Sequence, residues 1–132
     1  MKKTSLLAAG LLGLALPVQA VTPAFTPANV VKAIVGEAAG DGYAVQVAVA
    51  CAIRNRGSLK GVYGVNAKHN ATEPAWVWRQ ADRAWTESGQ HDVTRGATHF
   101  GNADDVHKGT FRGLKLTVVV GEGTHKTYFF KA

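Results

Sequence analysis

The sequence predicts an α+β domain, a mainly helical body with a buried central helix closed by a small C-terminal β-hairpin. Three observations carry this. From Tyr43 to Ile53 the chain reads "YAVQVAVACAI", with Gln46 as the only strongly polar side chain, and a helix apolar all round belongs in the middle of a fold. Helical stretches with stop and start signals flank it on both sides. Near the end, Leu114, Leu116, Val118 and Val120 alternate with Lys115, Thr117 and Val119, which is the period of a strand.

The elements follow in order. Lys2 and Lys3, an apolar run from Leu6 to Leu16, Pro17 and the small-residue ending Val18-Gln19-Ala20 form a secretory signal peptide over residues 1–20. Its apolar core is too short for a membrane span, and no later run reaches spanning length. The expected product is an exported, soluble domain over residues 21–132, secreted or periplasmic and without stable membrane insertion once the signal is removed. That length suits one domain with a modest core.

The first helix of this domain starts with Thr26 as N-cap and Pro27 at the first helical position, and it ends before Gly40. Val30, Val31, Ile34, Val35 and Ala38 make its apolar arc, and Glu37 falls on the arc's edge. Asp41 or Gly42 opens the central helix, which runs to Arg56 and stops at Gly57. A polar connector, "GSLKGVYGVNAKHNATEP", leads to a third helix that starts around Thr72-Glu73-Pro74 and continues to about Ser88. Trp78, Ala81 and Trp85 share one of its faces, either as core tryptophans or as a sugar-stacking surface. "HDVTRGATHFGN" then makes a turn and a short extended piece. Gly121-Glu122-Gly123 turns the first C-terminal strand into a second ending at Phe130.

Composition narrows the function. The formal net charge is +6, of which Lys2 and Lys3 contribute two. A mildly basic exported domain suits an anionic matrix such as cell wall, but its basic residues lack the clustering of a nucleic-acid groove. Cys51 stands alone, so there is no internal disulfide, and its setting in "AVACAI" is that of a small buried hydrophobe rather than a nucleophile. His69, His91, His99, His107 and His125 lack the tight spacing of a helical zinc site. A site assembled from His91, Asp92 and His99 is the one metal alternative. No metal and no cofactor are expected.

Glu37 is the residue with chemistry to offer. It sits at the C-terminal end of a helix, where the dipole disfavours a carboxylate, and beside an apolar face, where desolvation does the same. Both raise its pKa toward the range a general acid needs. The same spacing fits an ordinary glutamate on the shoulder of an amphipathic helix. Gln46, a lone amide in an apolar helix, needs partners; it either orients Glu37 or substrate, or ties two helices together. Glu73, Asp92, Asp104 and Asp105 are candidates for a second acid, and Asp92 equally fits an Asx-type turn ahead of Gly96.

"GEAAGDGYAVQVAVACAIRNR" resembles the opening motif of the SleB-like cell wall hydrolases, the spore cortex-lytic enzyme type, through Gly36, Glu37, Ala38, Gln46 to Ala50, Asn55 and Arg56. Asp92-Val93-Thr94-Arg95-Gly96-Ala97-Thr98-His99-Phe100 is similar to the family's Asp-x-Thr-x-Gly-Ala segment, and His125, Tyr128 and Phe129 to its closing aromatic strand. The resemblance implies a lysozyme-like domain that cleaves peptidoglycan glycan strands as a lytic transglycosylase, with Glu37 as the catalytic acid. Gln46, Asp92, Thr94, His99, Phe100, His125 and Tyr128 are the expected substrate contacts, with core packing or surface exposure the alternative for His99, Phe100, His125 and Tyr128. The chain departs from the family in "VYGVNAKHNATEPAW", which is expected to line part of the glycan groove. The expected partner is the glycan strand, bound by a monomer; a hydrolytic muramidase and a non-catalytic wall-binding or inhibitory protein of the same fold are the alternatives.

Overall fold

The computed structural model describes residues 21–132, so the signal-peptide reading falls outside the described residues. Helix α1, Pro27–Ala38, begins as its sequence dictates: Thr26 is extended and its Oγ1 accepts the Asn29 N–H at 3.2 Å, with Pro27 opening the first turn. Val30, Ala33, Ile34, Val35 and Ala38 are buried. Gly42 then adopts φ 90°, a conformation that favours glycine, and starts helix α2, Tyr43–Arg56. Every residue from Val45 to Ile53 is buried, Gln46 included. Gly57 ends the helix in the left-handed region and its N–H bonds to Ile53 O.

The polar connector is more ordered than its composition suggests. Leu59, Val62 and Val65 drop into the core, and two short 3₁₀ turns, Tyr63–Asn66 and Lys68–Thr72, fold back against α1. Helix α3, Ala75–Ser88, follows Pro74 and buries Val77, Ala81 and Ala84. α1 and α3 pack on α2 and on each other. Trp78 and Trp85 are half-buried against this core, and Trp85 is covered by the Arg54 guanidinium at 3.6 Å and by the edge of Phe25. The packing alternative therefore describes this pair better than an open stacking surface.

The chain closes with strand β1, His99–Gly101, a short helix α4, Ala103–His107, and strands β2, Lys115–Val120, and β3, Thr127–Lys131. The sheet is antiparallel in the order β1-β3-β2. The expected hairpin is present, but three details differ from the sequence expectation. The extended piece at His99 joins as a third strand, because it pairs with β3 through His99↔Phe130 and Gly101↔Tyr128. The turn is longer than Gly-Glu-Gly, since Gly123–His125 forms a 3₁₀ turn. The alternation also breaks at Thr117, where an irregularity shifts the register from Leu116↔Phe130 to Val118↔Phe129. Val118 and Val120 consequently pack on the core while Leu116 is 49% exposed. Helix α4, unexpected from its length, is fixed by a capping box between Asn102 and Asp105.

Candidate active site

Glu37 lies in the last turn of α1, at the wall of a cavity of about 460 Å³. Its position depends on two glycines. A Cβ on Gly36 would sit 1.8 Å from Gly64 O, and one on Gly64 would sit 2.6 Å from Ala33 O and 2.7 Å from Glu37 Cγ. Backbone therefore meets backbone where α1 ends. The close approach lets the Gly64 N–H donate to Glu37 Oε2 at 2.8 Å.

The electrostatic balance on Glu37 follows from these neighbours. Burial raises its pKa above the ordinary 4.5, the Gly64 N–H opposes that, Asp105 raises it again and Arg56 lowers it, for a net upward shift. Arg56, at the end of α2, is half-buried in the same cavity, and burial lowers its own pKa against the pull of Glu37. Asp105 reaches the cavity from α4, with Oδ2 accepting the Asn102 N–H. The opposite wall is joined to the α1–α2 turn by His125, whose Nδ1 lies 2.9 Å from Asp41 Oδ1. Tyr63, 79% exposed, stands at the rim beside the Gly64 turn.

Of the residues nominated from sequence, Glu37, His99, Phe100, His125 and, among the candidate second acids, Asp105 line this cavity, whereas Glu73 and Asp104 do not. Burial and the nearby Arg56 both lower the His99 pKa, which favours the neutral ring, and its Nδ1 lies 2.9 Å from Thr98 Oγ1. Gln46, Asp92, Thr94 and Tyr128 stand away from the cavity. Gln46 Nε2 donates to Ala38 O at 3.2 Å, joining α2 to the residue after Glu37, while its buried Oε1 has no partner among the described residues. Asp92 organises its own loop: Oδ1 accepts from the Thr94 N–H and hydroxyl, and Oδ2 from the Gly96 N–H and Asn55 Nδ2. Burial pushes that carboxyl up, but the bonds from Thr94, Asn55 and Gly96 outweigh it and hold the pKa at about 2. Tyr128 sits in the middle strand, between Gly101 and Val119.

Sequence reasoning did not assign Asp41 or Arg56 to the cavity, while Tyr63 belongs to the connector segment expected to line the groove. Arg56 carried a signal, since it belongs to the Asn-Arg ending of the motif; Asp41 reaches the site only through tertiary contacts. Among the described residues no three His, Cys, Asp or Glu side chains come together in a metal-binding group. His91, Asp92 and His99 thus do not converge. Cys51 is buried, burial raises its pKa, and its Sγ faces His91 O at 3.6 Å, so it is no nucleophile. No described helix is long and apolar enough to cross a membrane.

No family model matches the sequence, and no curated protein matches it by sequence. By structure, the chain is similar to the catalytic domain of the germination-specific lytic transglycosylase SleB from Bacillus anthracis, with 25% identity, a TM-score of 0.57, and coverage of 80% of this chain and 93% of that one. It is also similar to the catalytic domain of the Bacillus cereus SleB protein, with 21% identity, a TM-score of 0.57, and coverage of 89% and 99%. The fold is SleB-like. The resemblance read from the Gly-Glu-Ala motif therefore extends to the tertiary structure, with nearly the whole of each SleB catalytic domain covered. On this SleB-like frame Glu37 sits at the end of α1 and faces the cavity.

Proposed function

We propose that this protein is an exported peptidoglycan-degrading enzyme that cleaves the glycan strand between N-acetylmuramic acid and N-acetylglucosamine as a lytic transglycosylase. The observation that carries the reading is Glu37: a half-buried carboxyl in the cavity wall, raised in pKa by burial and oriented by one backbone N–H. Such a group stays protonated at higher pH than a free glutamate and can deliver its proton to a leaving glycosidic oxygen.

In the proposed reaction the Glu37 carboxyl protonates the oxygen leaving C1 of muramic acid, and the C1–O bond breaks with its electron pair on the leaving sugar. The Glu37 carboxylate then takes the proton of the same sugar's C6 hydroxyl as that oxygen bonds to C1. The product carries a 1,6-anhydro end and Glu37 is again protonated. No water is consumed. Arg56, beside Glu37, stabilises the transient carboxylate, and His99, Phe100, His125 and Tyr63 offer polar and aromatic surface to the sugars.

One feature favours a second reading. Asp105 shares the cavity and acts electrostatically on Glu37, and a second carboxylate is what a water-using muramidase requires. The experiment is incubation of wild type and Glu37→Gln with purified peptidoglycan, followed by mass spectrometry of the soluble fragments. Anhydro ends from wild type alone support transglycosylation through Glu37, whereas reducing ends support the muramidase. Absence of fragments from both leaves a wall-binding protein.

A further inference from the structure

Asn70 is a polar side chain only 7% exposed, in a connector whose other polar residues mostly face solvent. Its Nδ2 donates to Gly64 O at 2.9 Å and reaches Val65 O at 3.4 Å, while its buried Oδ1 has no partner among the described residues. An unpaired buried amide oxygen is costly. Turning the amide over would set Oδ1 against two carbonyls and remove both donations, so the observed orientation is the better one. The side chain is thus held in place for what its Nδ2 grips, and what it grips is the residue that touches Glu37.

We infer that Asn70 is a positioning residue: by tying the Gly64 and Val65 carbonyls from within the connector, it steadies the turn whose Gly64 N–H orients the Glu37 carboxyl. The inference rests on the reading of Glu37 as the catalytic acid. Gly64 has no side chain to anchor it, and its carbonyl is held by two donors, Asn70 Nδ2 and the Ala67 N–H at 3.1 Å. The neighbouring His69 adds a second tie, with Nε2 3.1 Å from Gly36 O and Nδ1 2.8 Å from Glu73 Oε2. Both partners are acceptors and neither belongs to Gly64, so this ring holds the connector to α1 while Asn70 holds the turn. The Gly64 N–H belongs to the preceding peptide, so Asn70 acts on it through the turn: as the turn loosens the N–H withdraws, and the one hydrogen bond that lowers the Glu37 pKa weakens while burial still acts. The carboxyl then titrates higher.

The test is an NMR titration without substrate, following the Glu37 Cδ, the Gly64 amide and the Asn70 side-chain amide. In wild type all three should report one midpoint. A flat Asn70 signal through the Glu37 transition overturns the inference, and this arm needs no variant. In Asn70→Ala, or in the uncharged Asn70→Leu of similar shape if the alanine variant does not fold, the Glu37 midpoint should rise by about half a pH unit or more. An unchanged midpoint in a folded variant reduces Asn70 to a packing residue. Because no substrate is used, the outcome is independent of the peptidoglycan assay: inactive wild type with a coupled titration would retire the enzyme and leave the clamp standing.

Discussion

Glu37 and Asp92 are both carboxylates held by backbone N–H groups, yet they are driven in opposite directions. Asp92 lies at an exposed loop and collects donations from two backbone N–H groups, the Thr94 hydroxyl and the Asn55 amide, which hold it at about 2. Glu37 is half-buried and receives the Gly64 N–H, and its pKa is raised. Several strong donors outweigh desolvation at the first site; a single donor does not at the second. One carboxylate is committed to structure and the other remains able to exchange a proton.

The largest expected effect sharpens that division. Glu37→Gln should lower glycan cleavage by about 10²–10⁴-fold or more while leaving the circular dichroism spectrum intact. Asp92→Asn, by contrast, should retain turnover. Comparable losses from both, in folded proteins, would break the comparison.

Next comes the approach that supplies Glu37 with its one donor. Gly36→Ala places a Cβ against Gly64 O, and the clash should destabilise the fold by about 1–3 kcal/mol or more in denaturant unfolding. An unshifted midpoint would mean that α1 and the connector separate freely.

Asp92→Ala should destabilise by a smaller amount, about 1–2 kcal/mol, because the loop is exposed and its bonds are partly replaced by water. The pH dependence has a definite sign. The folded carboxyl titrates near 2, below the ordinary 3.8, so its contribution is present above 3.8 and is lost as pH falls through about 2. Urea unfolding of wild type should weaken over that window, and that part of the slope should vanish in the alanine variant.

The smallest effect has the opposite sign. Because Glu37 titrates above 4.5 when folded, wild type loses stability as pH rises from 4.5 through that higher value. Glu37→Gln lacks this loss and should unfold at higher denaturant than wild type near neutrality, with the gap shrinking in acid. A gap constant with pH would show that burial does not perturb Glu37.

The same two carboxylates mark what the sequence could reveal. Thr26, Pro27 and Gly57 announce helix ends through local capping, and the expected boundaries of α1 and α2 agree with the structure. The Asp92 turn was legible as one of two alternatives because its partners Thr94 and Gly96 are close in sequence. Glu37 could be nominated from helix position and apolar flank. Its donor could not, since no local pattern indicates that Gly36 and Gly64 touch. The Asp41–His125 contact is equally hidden, joining residues 84 apart. The register shift at Thr117 escaped for another reason: alternation predicts which face a residue takes only while pairing stays regular.

The strand order β1-β3-β2 puts the last of the described strands in the middle of the sheet. Among the described residues neither β1 nor β2 has another strand to pair with, so both depend on residues 127–131. Loop closure between distant segments is slow compared with helix formation. The helical body can therefore collapse early, whereas the wall carrying His99, Phe100 and His125 is completed late.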